Sequence, residues 1–110
     1  MYHDRTRIYP LALELVEVSH EVLDKLPQGY GFLADQLRRA SASVCLNFAE
    51  GCGKESKRDR RRYFMAARGS AYEVAAVLDV AVRFGVLSQE TRKRGHALCD
   101  AICGMLTRFH

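Results

Sequence analysis

The sequence predicts an all-α protein, an antiparallel up-down-up-down four-helix bundle, and three observations predict it. Apolar residues recur at spacings of three and four through four successive stretches, the signature of a helix with one buried stripe. Only 2 Pro and 8 Gly occur in 110 residues, too few for a turn-rich sheet protein. The stretches are joined by about three to seven residues, too short for a parallel return along the bundle. Consecutive helices must therefore alternate in direction. The length suits one domain, residues 1–110, with no room for a second core. At 48% hydrophobic and 27% charged, the chain can build that core and is unlike a disordered sequence.

The first helix is expected over residues 9–26. Residues 1–8 are polar and expected to fray, with Ile8 and Tyr9 within reach of the bundle. Pro10 suits a first turn, where its missing amide proton has no intrahelical use. Leu11, Leu15, Val18, Val22 and Leu26 form the apolar stripe, and Pro27 to Gly31 stops the helix. The second helix is expected over 33–51, with Leu37, Ala40, Val44 and Phe48 on its stripe and many small residues that allow a close neighbour; Gly51 and Gly53 end it. The third, over 57–84, starts at a Ser56 cap with Asp59 placed to reach back. Phe64, Ala67, Ala71, Val74, Leu78 and Ala81 run along it without a break. Its length is roughly 42 Å at 1.5 Å per residue. Gly85 and Ser88 mark the next turn. The fourth, over 89–109, carries Gly95, Leu98, Ile102, Met105 and Phe109, with Leu106 beside them and Ser88 as its cap.

The four cysteines, Cys45, Cys52, Cys99 and Cys103, read as buried thiols and not as a disulfide framework. No apolar run reaches the roughly 18 residues that a membrane helix requires, and Asp4, Arg5 and Arg7 replace the apolar block of a signal peptide. The expected setting is cytoplasmic, away from membranes.

Charge is concentrated. The segment Lys54, Glu55, Ser56, Lys57, Arg58, Asp59, Arg60, Arg61, Arg62 holds six basic and two acidic residues in nine positions, a net +4 equal to that of the whole chain. A phosphate backbone would be drawn to it in a salt-dependent way. The competing reading is that these side chains simply solvate the end of a long helix. The segment brings no aromatic platform for bases, so a bound nucleic acid would be held by backbone charge and shape. The first helix is the opposite: Glu14, Glu17, Glu21 and Asp24 face only Lys25, a surface for self-association or for a basic partner.

Four polar residues sit beside the buried registers. Asn47, Glu50, Arg68 and Glu73 are expected to form a polar network that fixes helix register, since a carboxylate at a helix interface needs a partner. Arg38, Arg39 and Arg68 are the candidate cations. Catalytic residues are not found: there is no glycine-rich phosphate loop after a strand, no Gly-x-Ser-x-Gly turn and no His-Glu-x-x-His pair. His96, Cys99 and Cys103 share a broad helical face, but without a Cys-x-x-Cys pair they read as packing, so neither a metal nor another cofactor is expected.

The run from Asp35, Gln36, Leu37, Arg38, Arg39 and Ala40 through Asn47, Phe48, Ala49, Glu50 and Gly51, the basic stretch Lys57 to Phe64, and Gly69, Ser70, Ala71, Tyr72, Glu73 together resemble the bacterial four-helix-bundle proteins encoded by intervening sequences of 23S ribosomal RNA genes. The likeness spans nearly the whole chain, and it is the combination that is specific. It implies a closed homo-oligomer, a homopentameric ring, and no enzymatic activity. That family is in turn similar to the accessory variability protein of diversity-generating retroelements, a basic pentamer associated with nucleic acid and a reverse transcriptase. By that likeness Arg38, Arg39, Lys57, Arg58, Arg60, Arg61 and Arg62 would face RNA or DNA, with Lys54 added from the basic segment itself. The alternative is a structural or adaptor oligomer that binds a protein partner and no nucleic acid.

Overall fold

The computed structural model describes residues 1–109. A short 3-10 turn, Tyr2–Arg5, precedes four helices: α1 Ile8–Lys25, α2 Gly31–Cys52, α3 Lys57–Arg83 and α4 Gln89–Arg108. Each helix packs on two others in the cyclic order α1, α2, α3, α4, and the most extensive packing is between α2 and α3. Antiparallel directions follow from side chains that meet. Ser43 lies against Ser70 and Gly51 against Phe64 across α2 and α3, Leu78 against Gly95 across α3 and α4, and Glu21 against Arg94 across α1 and α4. The bundle measures 44 × 22 × 20 Å.

The apolar registers explain this arrangement. All six residues expected on the α3 stripe are buried, as are the four on α2. Many of them are small (Ala40, Ala67, Ala71), which lets these two backbones approach closely. On α1 the stripe is Ile8, Ala12, Leu15, Val18 and Val22, so Leu11 and Leu26 lie at its edge instead of its centre. On α4 it is Gly95, Cys99, Ile102 and Leu106, with Leu98 and Met105 only half-buried. The two patterns share Gly95, which meets Leu78, and Ile102; from these the residues that follow four positions on, Cys99 and Leu106, face inward together.

The helix ends obey local chemistry. Ser56 Oγ accepts from the Asp59 amide at 3.1 Å and Ser88 Oγ from the Thr91 amide at 3.2 Å, one capping bond for each start. Beyond α3, Gly85 takes a φ of 76°, and the amides of Gly85 and Val86 donate to the Val82 and Ala81 carbonyls. This left-handed closure favours glycine, which has no Cβ to clash. Gly51 ends nothing: it is buried inside α2, where an added Cβ would stand 2.7 Å from the Phe64 ring.

The N-terminal segment, expected to fray, folds as a turn against the bundle. Its turn is held by the Thr6 hydroxyl donating to the His3 carbonyl at 2.8 Å, Ile8 is buried, and the Tyr2 ring reaches Phe109 with centroids 6.2 Å apart.

Candidate functional site

One end of the bundle collects most of the cationic side chains. The start of α1, the end of α2, the start of α3 and the end of α4 meet there, tied by a ring cluster in which Phe109 lies 5.5 Å from Phe48 and 5.2 Å from Phe64. Lys54 reaches this end from the α2–α3 connection, and Lys57, Arg58, Arg60, Arg61 and Arg62 from the first turns of α3. The fold adds three residues outside that segment: Arg5, Arg7 and Arg108 line one cleft of about 510 Å³ between the N-terminal turn and the end of α4. Nine basic side chains thus share the end with Asp4, Glu50, Glu55 and Asp59. Two helix starts and two helix ends meet here, so their dipoles largely cancel and side-chain charge sets the potential.

The basic side chains are not equivalent. Arg60 folds back into the α2–α3 connection, donating from Nε to the Lys54 carbonyl at 2.8 Å and from Nη2 to the Glu55 carbonyl at 3.2 Å. Its guanidinium is a brace for the loop. Lys54 is shared between Glu50, 3.6 Å away, and the Tyr63 ring, and Arg62 also lies over the Tyr63 ring, 5.5 Å from its centroid. Among the described residues, Lys57, Arg58, Arg61, Arg62, Arg5, Arg7 and Arg108 form no ion pair.

Arg38 and Arg39 are elsewhere. Arg39 precedes Cys52 by thirteen positions on one helix, about 20 Å along the axis, and Arg38 is paired with Asp35 at 3.3 Å. The structure does not bring them to the end that carries the other cations.

Nor do Asn47, Glu50, Arg68 and Glu73 make one network. The bond that ties α2 to α3 runs from Ser70 Oγ to Ser43 Oγ at 2.9 Å, and Asn47 Nδ2 donates to the same Ser43 hydroxyl at 2.8 Å. Glu50 and Glu73 are exposed, because a residue adjoining a buried one on a helix is turned about 100° away from it. Arg68 lies over Tyr72, 5.4 Å from the ring centroid, and its Nε is buried with no hydrogen-bond partner among the described residues.

A second cluster, unforeseen from the sequence, lies between α3 and α4. Asp79 Oδ1 accepts from Arg92 Nε at 2.7 Å and lies 2.8 Å from His96 Nε2, which is also 3.2 Å from the Ala75 carbonyl. Desolvation opposes ionisation of Asp79, but the Arg92 hydrogen bond and the nearby His96 and Arg92 charges outweigh it and hold the carboxyl below its ordinary range. The cysteines are all free; Cys45 and Cys99 are buried, Cys52 and Cys103 half-buried. Burial pushes the Cys45 and Cys52 thiols up to about 11 and the Cys99 thiol up to about 12. Among the described residues no group of three or more His, Cys, Asp or Glu is placed to hold a metal ion, and no helix is long and apolar enough to cross a membrane.

Fold and site together define a small four-helix bundle that gathers basic side chains at one end. Residues 4–108 match the family described as 23S rRNA-intervening sequence protein. The chain belongs to that family. No curated protein matches it.

Proposed function

We propose that the protein is a non-enzymatic, cytoplasmic homo-oligomer that holds RNA or DNA by its phosphate backbone at the cationic end of the bundle. What supports this reading is the set of lysines and arginines there that have no carboxylate partner among the described residues. A guanidinium left free of carboxylates keeps both donor edges for phosphate. Oligomerisation would repeat this surface and let weak contacts add; the exposed Leu46, Tyr72 and Val80 are apolar area for subunits to cover. A homopentamer is the assembly that the family resemblance implies.

The test is a titration of fluorescent RNA and DNA across salt, with mass measured in solution before and after nuclease. The logarithm of affinity should fall linearly with that of salt, by roughly 0.7–0.9 per phosphate neutralised. Replacing Lys57, Arg58, Arg61 and Arg62 together with alanine should abolish most binding and leave the helical signal intact. Equal binding by that variant overturns the assignment. The exposed apolar side chains also favour a second reading, an adaptor for a protein partner. Capture of one protein that survives nuclease and high salt, with no nucleic acid bound at any salt, would select it.

A further inference from the structure

The basic segment carries no platform for a base, but the folded end does. The N-terminal turn sets Tyr2, 46% exposed, beside Phe109 with the two rings 30° from parallel. Their cleft has an apolar floor, Ile8 and Met105, and its rim carries Arg5, Arg7 and Arg108. Phe109 is also a wall of the neighbouring cleft, about 290 Å³, which Lys57 and Arg61 rim over Phe64, while the Arg60 guanidinium at its edge is turned back onto the Lys54 and Glu55 carbonyls. Two aromatic-walled hollows thus adjoin across one ring, each rimmed by cations.

We propose that this pair of clefts binds single-stranded nucleic acid, taking an unpaired base against Tyr2 and Phe109 while Arg5, Arg7 and Arg108 hold its phosphates. The inference rests on the backbone-binding reading above and makes it specific. Each part of a nucleotide meets its complement. Stacking suits the flat π-face of any base, so the site is tolerant of sequence. Planar guanidiniums suit phosphate oxygens. A duplex cannot use the cleft, because its bases are already stacked and paired and reaching them requires unpairing. The same end therefore holds single strands by charge and stacking, and duplexes by charge alone.

The experiment compares, at one salt concentration and with the full chain, four ligands of about twelve nucleotides: a single strand, the same strand made abasic, and duplexes of RNA and of DNA. The intact single strand should bind about tenfold more tightly than the abasic strand. Tyr2→Ala should remove that preference without changing the salt slope, and Tyr2→Phe should keep it. Tyr2 lies outside the core, so circular dichroism should show the same helices in both variants. Arg5→Ala and Arg108→Ala should each lower the salt slope by about one phosphate. Equal affinity for intact and abasic strands, or a preference unchanged in Tyr2→Ala, overturns the cleft and leaves the backbone reading standing. Failure of the parent protein to bind any of the four ligands overturns both.

Discussion

Replacing Gly51 with alanine should destabilise the bundle, although the substitution favours helix. Alanine is better than glycine inside a helix by about 1 kcal/mol. Against this, the new methyl would stand 2.7 and 2.9 Å from two atoms of the Phe64 ring and 3.0 Å from Tyr63 Cβ. None of these can withdraw cheaply. Phe64 is buried and wedged between Phe48 and Phe109, and Tyr63 Cβ is fixed by the α3 backbone. Overpacking of this kind costs about 1–3 kcal/mol, and the immobility of the neighbours puts this site in the upper part of that range. The net loss is about 1–2 kcal/mol, or a melting temperature lower by roughly 5–15 °C for a domain of this size. The control is Gly104→Ala on α4, where an added Cβ meets only the Arg108 guanidinium at 3.7 Å. There the propensity gain stands alone, about 0.5–1 kcal/mol, and melting should rise by a few degrees. Thermal unfolding followed at 222 nm reads both. A Gly51→Ala protein that melts at or above the parent would refute the close contact between α2 and α3.

Arg60→Ala should lower the urea midpoint, losing about 1 kcal/mol with its two carbonyl contacts, while leaving the salt slope of nucleic-acid binding nearly unchanged; a large drop in slope would return Arg60 to the binding surface. Asp79→Asn should cost less than about 1 kcal/mol at pH 7, because the carboxylate is half-exposed. Since folding lowers the Asp79 pKa, its contribution is present above the unfolded value and is lost as pH falls through the folded one. Variant and parent should thus converge in strongly acidic urea titrations, and a gap that widens there counts against the pairing. Thiol labelling at pH 8 should be slow for Cys99 in the folded protein and fast in urea, because burial withholds the reactive thiolate; rapid modification of native Cys99 would contradict its packing.

Much of this architecture is legible in the sequence because it depends on period and on short connections. The α3 stripe from Phe64 to Ala81 needs no tertiary information, and the caps at Ser56 and Ser88 are local. Gly51 is different: a glycine near a helix end reads as a stop signal, and only the position of Phe64 reveals that it makes room for a ring. Arg5, Arg7 and Arg108 lie far in sequence from the basic segment. The expected antiparallel topology carries the signal for them, since it sets the first helix start and the last helix end beside the second connection. Arg38 and Arg39 show the reverse relation: they stand close to the basic segment within one motif, yet about 20 Å of helix separates Arg39 from the end of α2. Asp79, Arg92 and His96 meet through side-chain geometry between α3 and α4, and no spacing within either helix encodes it.

The dense seam between α2 and α3 also bears on how the molecule assembles. These two helices are consecutive and joined by four residues, so their contacts close a small loop and cost little chain entropy. The hairpin should therefore nucleate folding, with α1 and α4 docking afterwards. In stopped-flow experiments, truncating Val44 to alanine should slow refolding, and truncating Ile102 to alanine should mainly hasten unfolding. The reverse pattern would show that the outer helices lead.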